Sequence, residues 1–400
     1  MAPAAALLLR QGHHVQLLEG SRELFPALIA AMDGAVSTIR LETYIFDFSG
    51  SAADVAAALE RAARRGVAVQ VVVDGLGTPA APRTWRDRFA EARVGWAVYS
   101  PPGLLGMLVP GRWQRMHRKL CVVDDRTAFC GGINILDDYH DPNHGSLEAP
   151  RFDFAVQVEG PLVRDAVRTM RRLWLRLRMC SRLQELAAAL EAASDSRAPR
   201  ASDDADGPGA RAALALRDNL RYRTRIERAY RKAIGGAREE IIIANAYFVP
   251  GRKMRRALIM AAQRGVRVQL LLQGRYQYFM QYYSSRPIYG SLLRAGVEIH
   301  EYAPSFLHAK VAVIDGRWAT VGSSNLDPLS MLLAREANVV IDDPGFAQSL
   351  RGRLLRAMAT AGDPMDAREY ADRPLRERAM EWLALVVMRL ALLVHGKEYL

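Results

Sequence analysis

Four hundred residues, 50% hydrophobic and 24% charged, describe a globular chain with room for two domains or one duplicated unit. Lys and Arg number 55 against 43 Asp and Glu, and the net +12 asks for an anionic partner: nucleic acid, an acidic membrane surface or a phosphorylated substrate. Cys121, Cys130 and Cys180 show neither metal nor disulfide spacing, which makes reducing conditions the default. No apolar run reaches the ~18 residues of a membrane span, and the opening MAPAAALLLR lacks a secretory pattern, so membrane association is expected to be peripheral.

In chain order, residues 37–46 read as a buried strand, 52–65 as an alanine-rich helix and 67–73 as a second strand. GWAVYSP at 95–101 follows, then an apolar loop PPGLLGMLVPG at 101–111 that leads into MHRKLCVVD. A basic helical stretch from Met170 runs into EAASDSRAPRASDDADGPGA at 191–210, too polar to bury itself and read as a linker. Beyond it the pattern starts again, with strands at 240–246 and 266–272 around a helix near 251–264. TYIF at 43–46 matches AYFV at 246–249, ARRGVAVQVVVDG matches AQRGVRVQLLLQG, and GWAVYSP matches VEIHEYAP, all in the same order. The chain is one unit written twice. Continuous apolar strands alternating with helices indicate an α/β fold: two tandem repeats, each a mixed, mostly parallel β-sheet flanked by helices, packed as a pseudo-twofold pair. The expected bounds are 1–190 for the first repeat, 191–212 for the linker, 213–362 for the second repeat and 363–400 for a C-terminal apolar or amphipathic helix.

Each repeat also carries the same chemistry-bearing stretch. His117 and Lys119 stand two apart, as do His308 and Lys310, and in a strand such pairs project from one face. An aspartate follows each lysine by five positions, Asp124 and Asp315, and an asparagine behind small residues follows each histidine by seventeen, Asn134 in GGIN and Asn325 in GSSN. Asp-Gly at 315–316 suits a hairpin that returns the asparagine toward the histidine. A phosphodiester needs fixed positive charge and hydrogen-bond donors around its oxygens, which Lys119, Lys310, Asn134 and Asn325 can supply. Two imidazoles across one phosphate can divide the work, one attacking phosphorus and the other moving the proton of the alcohol. Asp124 and Asp315 belong to the motif, but at strand ends they are expected to serve the turns.

This constellation resembles the phospholipase D superfamily, over about 15–185 and 215–345. Within it LLEG, MHRKLCVVD, FCGGIN, RGVRVQLLLQGR, LHAKVAVID and ATVGSSNLDPLS look most like the shorter bacterial cardiolipin synthases that lack amino-terminal membrane spans. The resemblance implies one site built from both motifs without metal or other cofactor. It also implies His117 as nucleophile and His308 as general acid/base, although the symmetry leaves the reverse open. Family members orient each histidine with an acid from a later strand: Glu336 fits that role for the second repeat and Asp153 for the first, with Glu148 as its rival. The acid lies 28 positions after His308 but 36 after His117, so 137–151 is read as an inserted loop. Its His140, His144, Asp137 and Asp138 are permissive for a metal, but a polar loop is the plainer reading.

Three stretches favour lipid over nucleic acid as substrate: the loop 101–111, the aromatic YQYFMQYYSSRPIYG at 276–290, and MEWLALVVMRLALLV at 380–394. The expected reaction is transfer of a phosphatidyl group to phosphatidylglycerol through a phosphatidyl-histidine, giving cardiolipin. A hydrolytic phospholipase D and a metal-independent nuclease are the alternatives. The expected partners are two phospholipid substrates and an anionic membrane surface rather than nucleic acid, with the protein peripheral on the cytoplasmic face of the bacterial inner membrane.

Overall fold

The structure is a computed structural model and describes residues 7–78, 80–101, 114–178, 208–218, 222–276, 279–327 and 334–395. The first repeat opens with β1 (Arg10–Glu19), α1 (Gly20–Asp33), β2 (Thr38–Thr43), α2 (Gly50–Arg64), β3 (Ala68–Asp74), α3 (Arg83–Glu91) and β4 (Gly95–Tyr99). It continues with β5 (Arg115–Met116), β6 (Lys119–Val123), β7 (Thr127–Gly131), the small ribbon β8 (His140–Asp141) and β9 (Gly145–Ser146), β10 (Phe154–Glu159) and α4 (Val163–Arg178). The second has β11 (Ala210–Arg217), α5 (Arg225–Gly236), β12 (Glu240–Asn245), α6 (Arg252–Gln263), β13 (Arg267–Gln273), α7 (Phe279–Leu293) and β14 (Glu298–Tyr302). It closes with β15 (Lys310–Ile314), β16 (Trp318–Gly322), β17 (Ala334–Asp342) and α8 (Pro344–Ala361), followed by α9 (Ala367–Ala371) and α10 (Leu375–His395).

The strands run in the order β14-β13-β12-β15-β16-β17-β11-β1-β10-β7-β6-β2-β3-β4, which reads the same from either end when equivalent strands are exchanged. The dyad falls between β11 and β1, two equivalent strands that pair antiparallel. The sheets are mixed, but parallel pairing is confined to β2–β3–β4, β12–β13–β14 and the two-residue β5–β17 pair. The other pairs are antiparallel, because tight turns such as 124–125 and 315–316, with positive φ at both residues, fold the motif strands into hairpins. The expected mostly parallel sheets therefore have a larger antiparallel share.

Strands such as EIIIAN lack alternation because both faces are covered. Ile242 and Ala244 join a core between the two sheets, with Val122, Val156, Val313 and Val339, whereas Ile241 and Ile243 pack under the outer helices of the second repeat. A matching outer core lies under α1 and α2. The two sheets thus face one another across a shared apolar layer to which α4 and α8 also contribute, with α1 and α2 on one outer face and α5, α6 and α7 on the other.

The bridges Phe46–Ile135 and Phe248–Leu326 correct the alignment of the repeats by one residue: TYIF corresponds to NAYF at 245–248. β11 begins at Ala210, inside the range expected as linker, while 191–207, the loop 102–111 and Cys180 lie outside the described residues. No described helix is long and apolar enough to cross a membrane.

Candidate active site

Each histidine sits just ahead of a motif strand, where a short segment crosses to the other repeat. β5 pairs with β17 of the second repeat, and the His117 backbone N–H donates to Arg335 O at 3.1 Å. On the other side Phe152 N–H donates to Phe306 O, and His308 N–H to Phe152 O, both at 2.9 Å. In both cases the accepting carbonyl belongs to the residue immediately before an acid. The side chains follow the backbones: His117 Nδ1 is 3.0 and 3.1 Å from the two Glu336 oxygens, and His308 Nδ1 is 2.6 Å from Asp153 Oδ2.

The expected pairing is therefore exchanged. Glu336 holds the histidine of the first repeat and Asp153 that of the second, because the histidine segments add to the acid-bearing strands across the dyad. Glu148 is exposed on the inserted loop and takes no part. Asp153 and Glu336 are themselves equivalent: their strands place Ala155 opposite Gly131 and Asn338 opposite Gly322, two residues beyond each acid.

The lysines fold back on their own motif, each ammonium donating to the carbonyl of its histidine, at 2.8 Å for Lys119 and in a short contact for Lys310. Lys119 Nζ lies 5.5 Å from the Tyr44 ring, whose centroid is 5.1 Å from that of His117. Asn134 Oδ1 accepts from the next backbone N–H, Ile45, at 3.1 Å, and Asn325 is buried two residues after Ser323. Both histidine side chains are mostly covered, with 16% and 15% left open.

Burial governs the charges. It pushes Lys119 down to about 7, although Glu336 pulls the other way, and Lys310 down to about 8 against Asp153 and Glu336. It lowers His117 against the opposing pull of Glu336, and lowers His308 well below the usual range, with Lys310 and Lys119 adding to the effect. Lys310 also bears on His117 and on Lys119, and His117 on His308, so the two motifs share one electrostatic field.

The two acids differ. Burial raises Asp153 to about 7, against the attraction of Lys310. Burial acts upward on Glu336 too, but His117, Arg217 and Lys119 outweigh it and its carboxyl stays below the ordinary value. Ser323 Oγ donates to Glu336, and Arg217, its register partner across β11 and β17, lies 3.6 Å away. Gly132 takes the place of Ser323 in the first repeat, and a β-carbon there would land on the Asp153 carboxylate.

Asp124 and Asp315 lie outside this cluster, at the far ends of β6 and β15, about 16 Å away along the strands. Asp124 accepts the N–H groups of Val36, Ser37 and Thr38 at 2.8–2.9 Å and is held down to about 2, where these bonds outweigh the upward effect of burial. Asp315 accepts those of Arg238, Glu239 and Glu240 at 2.9–3.0 Å. Although the motif carries these two aspartates alongside the catalytic His-Lys pairs, each clasps the chain entering the neighbouring strand. The inserted-loop residues do not converge either. Asp137 binds Ser51 at the start of α2, Asp138 binds Ser21 at the start of α1, and His144 pairs with Asp141 at 2.9 Å. Among the described residues, no group of three or more His, Cys, Asp or Glu could hold a metal.

Sequence reasoning passed over the residues that aim the histidine segments. Asp74, ending β3, accepts Met116 N–H at 2.7 Å and lies 3.2 Å from Arg115. Gln273, ending β13, accepts Leu307 N–H at 2.9 Å. Both are legible in hindsight as the polar residue closing VVVDG and LLLQG.

The model of the family described as "Cardiolipin synthase, PLD-like domain" matches residues 28–147 and 230–358. Cardiolipin synthase B of Escherichia coli K12 is 40% identical over 347 residues, covering 86% of this chain and 80% of that protein. Cardiolipin synthase A of Cronobacter sakazakii is 29% identical, over 93% and 74% of the two chains. Among solved structures, the phosphatidylserine synthase of Haemophilus influenzae Rd KW20 superposes with a TM-score of 0.69 at 13% identity, covering 97% of this chain and 96% of that one, a likeness of fold alone. A doubled motif, two repeats joined at a dyad and a family match in both halves make this chain a member of the cardiolipin synthase family of the phospholipase D superfamily.

Proposed function

We propose that this enzyme transfers a phosphatidyl group from one phospholipid to the hydroxyl of phosphatidylglycerol, forming cardiolipin through a phosphatidyl-histidine on His117. The observation that carries the reading is the crossed pairing of His117 with Glu336 and His308 with Asp153. It sets two imidazoles, each fixed through Nδ1, within one buried field containing two lysines. The 40% identity to proteins named cardiolipin synthase B supplies the lipid class.

Lys119 and Lys310 balance the charge of the phosphodiester, and the amide groups of Asn134 and Asn325 donate to its oxygens. His117 Nε2 attacks phosphorus while the bond to the leaving alcohol breaks, and that alcohol takes a proton from the His308–Asp153 pair. The incoming hydroxyl then returns its proton to His308 and attacks phosphorus, releasing His117 as the P–N bond breaks. The asymmetry of the acids supports this division. An anionic Glu336 behind His117 suits the covalent, cationic phosphohistidine. The Asp153 carboxyl, raised to about 7, keeps its pair supplied with the proton that the leaving group needs.

Membrane attachment has support in α10. Leu375, Met380, Trp382, Leu383 and Val387 are exposed on it, whereas Glu381 and Ala384 are buried on its opposite face. An exposed apolar stripe with Trp, beside Arg376 and Arg378, suits an anionic interface and a peripheral position on the cytoplasmic face of the inner membrane.

The test is purified protein on phosphatidylglycerol vesicles with products read by mass. Cardiolipin is expected from the parent and from neither His117→Ala nor His308→Ala. Phosphatidic acid in place of cardiolipin would make the enzyme a hydrolase, and unchanged turnover in both variants would remove the site.

A further inference from the structure

The two halves of the site spend their polar side chains differently. In the first repeat these are bound to the chain itself: Thr43 Oγ1 donates to Ile45 O at 2.9 Å, and Asn134 Oδ1 accepts from Ile45 N–H at 3.1 Å. The counterpart of Thr43 is Asn245, as the match of TYIF with NAYF requires. Asn245 ends β12 directly opposite Lys310 of β15, a placement that sets facing β-carbons ~5 Å apart. Its Oδ1 accepts the N–H of Leu326 at 3.2 Å, which fastens it to the residue after Asn325. Its Nδ2 has no partner among the described residues, and neither has Asn325 Oδ1. The two residues are 0% and 1% exposed, so bulk water does not satisfy them.

Buried polar groups are paired as a rule, and orphaned ones in a reaction centre mark the place of a ligand group. A free donor and a free acceptor on neighbouring side chains do not match a phosphate oxygen, which only accepts. They match a hydroxyl, which does both. They also adjoin the motif of His308, the residue that moves the proton of the alcohol in the function proposed above.

We infer that Asn245 and Asn325 form the pocket that selects the acceptor alcohol. Asn245 Nδ2 donates to the secondary hydroxyl of a glycerol headgroup, and Asn325 Oδ1 accepts from it. Held there, the headgroup presents its neighbouring primary hydroxyl to His308, while Asn325 Nδ2 remains turned to the phosphodiester. This rests on the transfer reaction proposed above and adds to it a reason for the choice of alcohol. A site built to hydrogen-bond a hydroxyl rejects an analogue that lacks it, because its own buried groups are then left unpaired.

The test is a competition within one reaction. Full-length protein with detergent-dispersed phosphatidylglycerol receives equimolar deuterated glycerol and propane-1,3-diol, which lacks the secondary hydroxyl, and the two phosphatidyl products are quantified by mass. The ratio is set inside each active molecule, so it is readable in a variant that folds only in part. The parent is expected to favour glycerol at least fivefold, and Asn245→Thr, which installs the first-repeat residue, to cut that preference at least to half. Asn245→Ser is read in the same way if the Thr variant does not fold. The inference is overturned by a parent ratio below fivefold or by a variant that keeps more than half of the parent ratio. It is overturned equally by folded variants that transfer to neither alcohol, which would place Asn245 in the chemistry itself. Phosphatidic acid from the parent with no alcohol product refutes the transfer reaction and this inference with it, whereas equal amounts of the two alcohol products refute the inference alone.

Discussion

Replacing Glu336 with Gln keeps the side chain's size and removes its charge. Glu336 has no solvent exposure, lies 3.0–3.1 Å from His117 Nδ1, accepts from Ser323 and faces Arg217 at 3.6 Å. A hydrogen bond to a charged group contributes about 1.5–3 kcal/mol, and about 1.4 kcal/mol is a decade in rate, so loss of the anchor alone lowers turnover about 10- to 150-fold. A carboxamide N–H turned toward Nδ1 adds to this, because it favours the tautomer with its proton on Nε2, which has no lone pair for phosphorus. The larger figure is therefore expected. The assay is single-turnover formation of the lipid-linked enzyme from phosphatidylglycerol, with a pH profile and a thermal melt of the same samples. The melt matters because Arg217 loses its counter-charge, and breaking a buried pair costs about 3–5 kcal/mol. Glu336→Asp, which restores the charge at shorter reach, should recover part of the rate. A folded Gln variant within threefold of the parent, with an unchanged pH profile, would refute the reasoning.

Gly132→Ala puts a methyl group against the Asp153 carboxylate and should disturb the aim of His308, giving at least a tenfold loss of turnover while the melt moves little. Asp124→Ala and Asp315→Ala should act on folding instead, costing about 1–2 kcal/mol each by analogy with helix caps, with little change in rate per folded molecule. Because Asp124 is held down to about 2, its contribution is present above the unfolded value near 4 and is lost as pH falls through 2, which acid titration of the melt will show. With Lys119 at about 7 and Lys310 at about 8, affinity for sulfate, an anion that does not itself titrate there, should be highest below pH 7. It should fall as pH rises through 8, as measured by calorimetry. Trp382→Glu with Leu383→Glu should cut sedimentation with anionic vesicles at least tenfold and leave turnover of a detergent-dispersed substrate within twofold.

The duplication was the most legible feature of the chain. The apolar runs that became β2, β3, β12 and β13 are buried on both faces, and the paired motifs repeat at fixed offsets. The structural duty of Asp124 and Asp315 could also be anticipated from their place at strand ends. The crossed acids could not, since sequence offsets count along one chain and the pairing is set by β5 joining β17 across the dyad. Nor could Arg217, which reaches Glu336 only through the β11–β17 register and belongs to no motif. The larger antiparallel share follows from two-residue turns whose effect on strand direction a pattern of apolar runs does not carry.

The crossed histidine–acid pairs have a consequence for how this protein could be taken apart. Either half produced alone would carry an imidazole without its carboxylate and a carboxylate without its imidazole, and so would be chemically mute however well it folded. Mixing the separated halves should bring back catalysis only to the extent that they dock, which turns lipid turnover into a gauge of assembly.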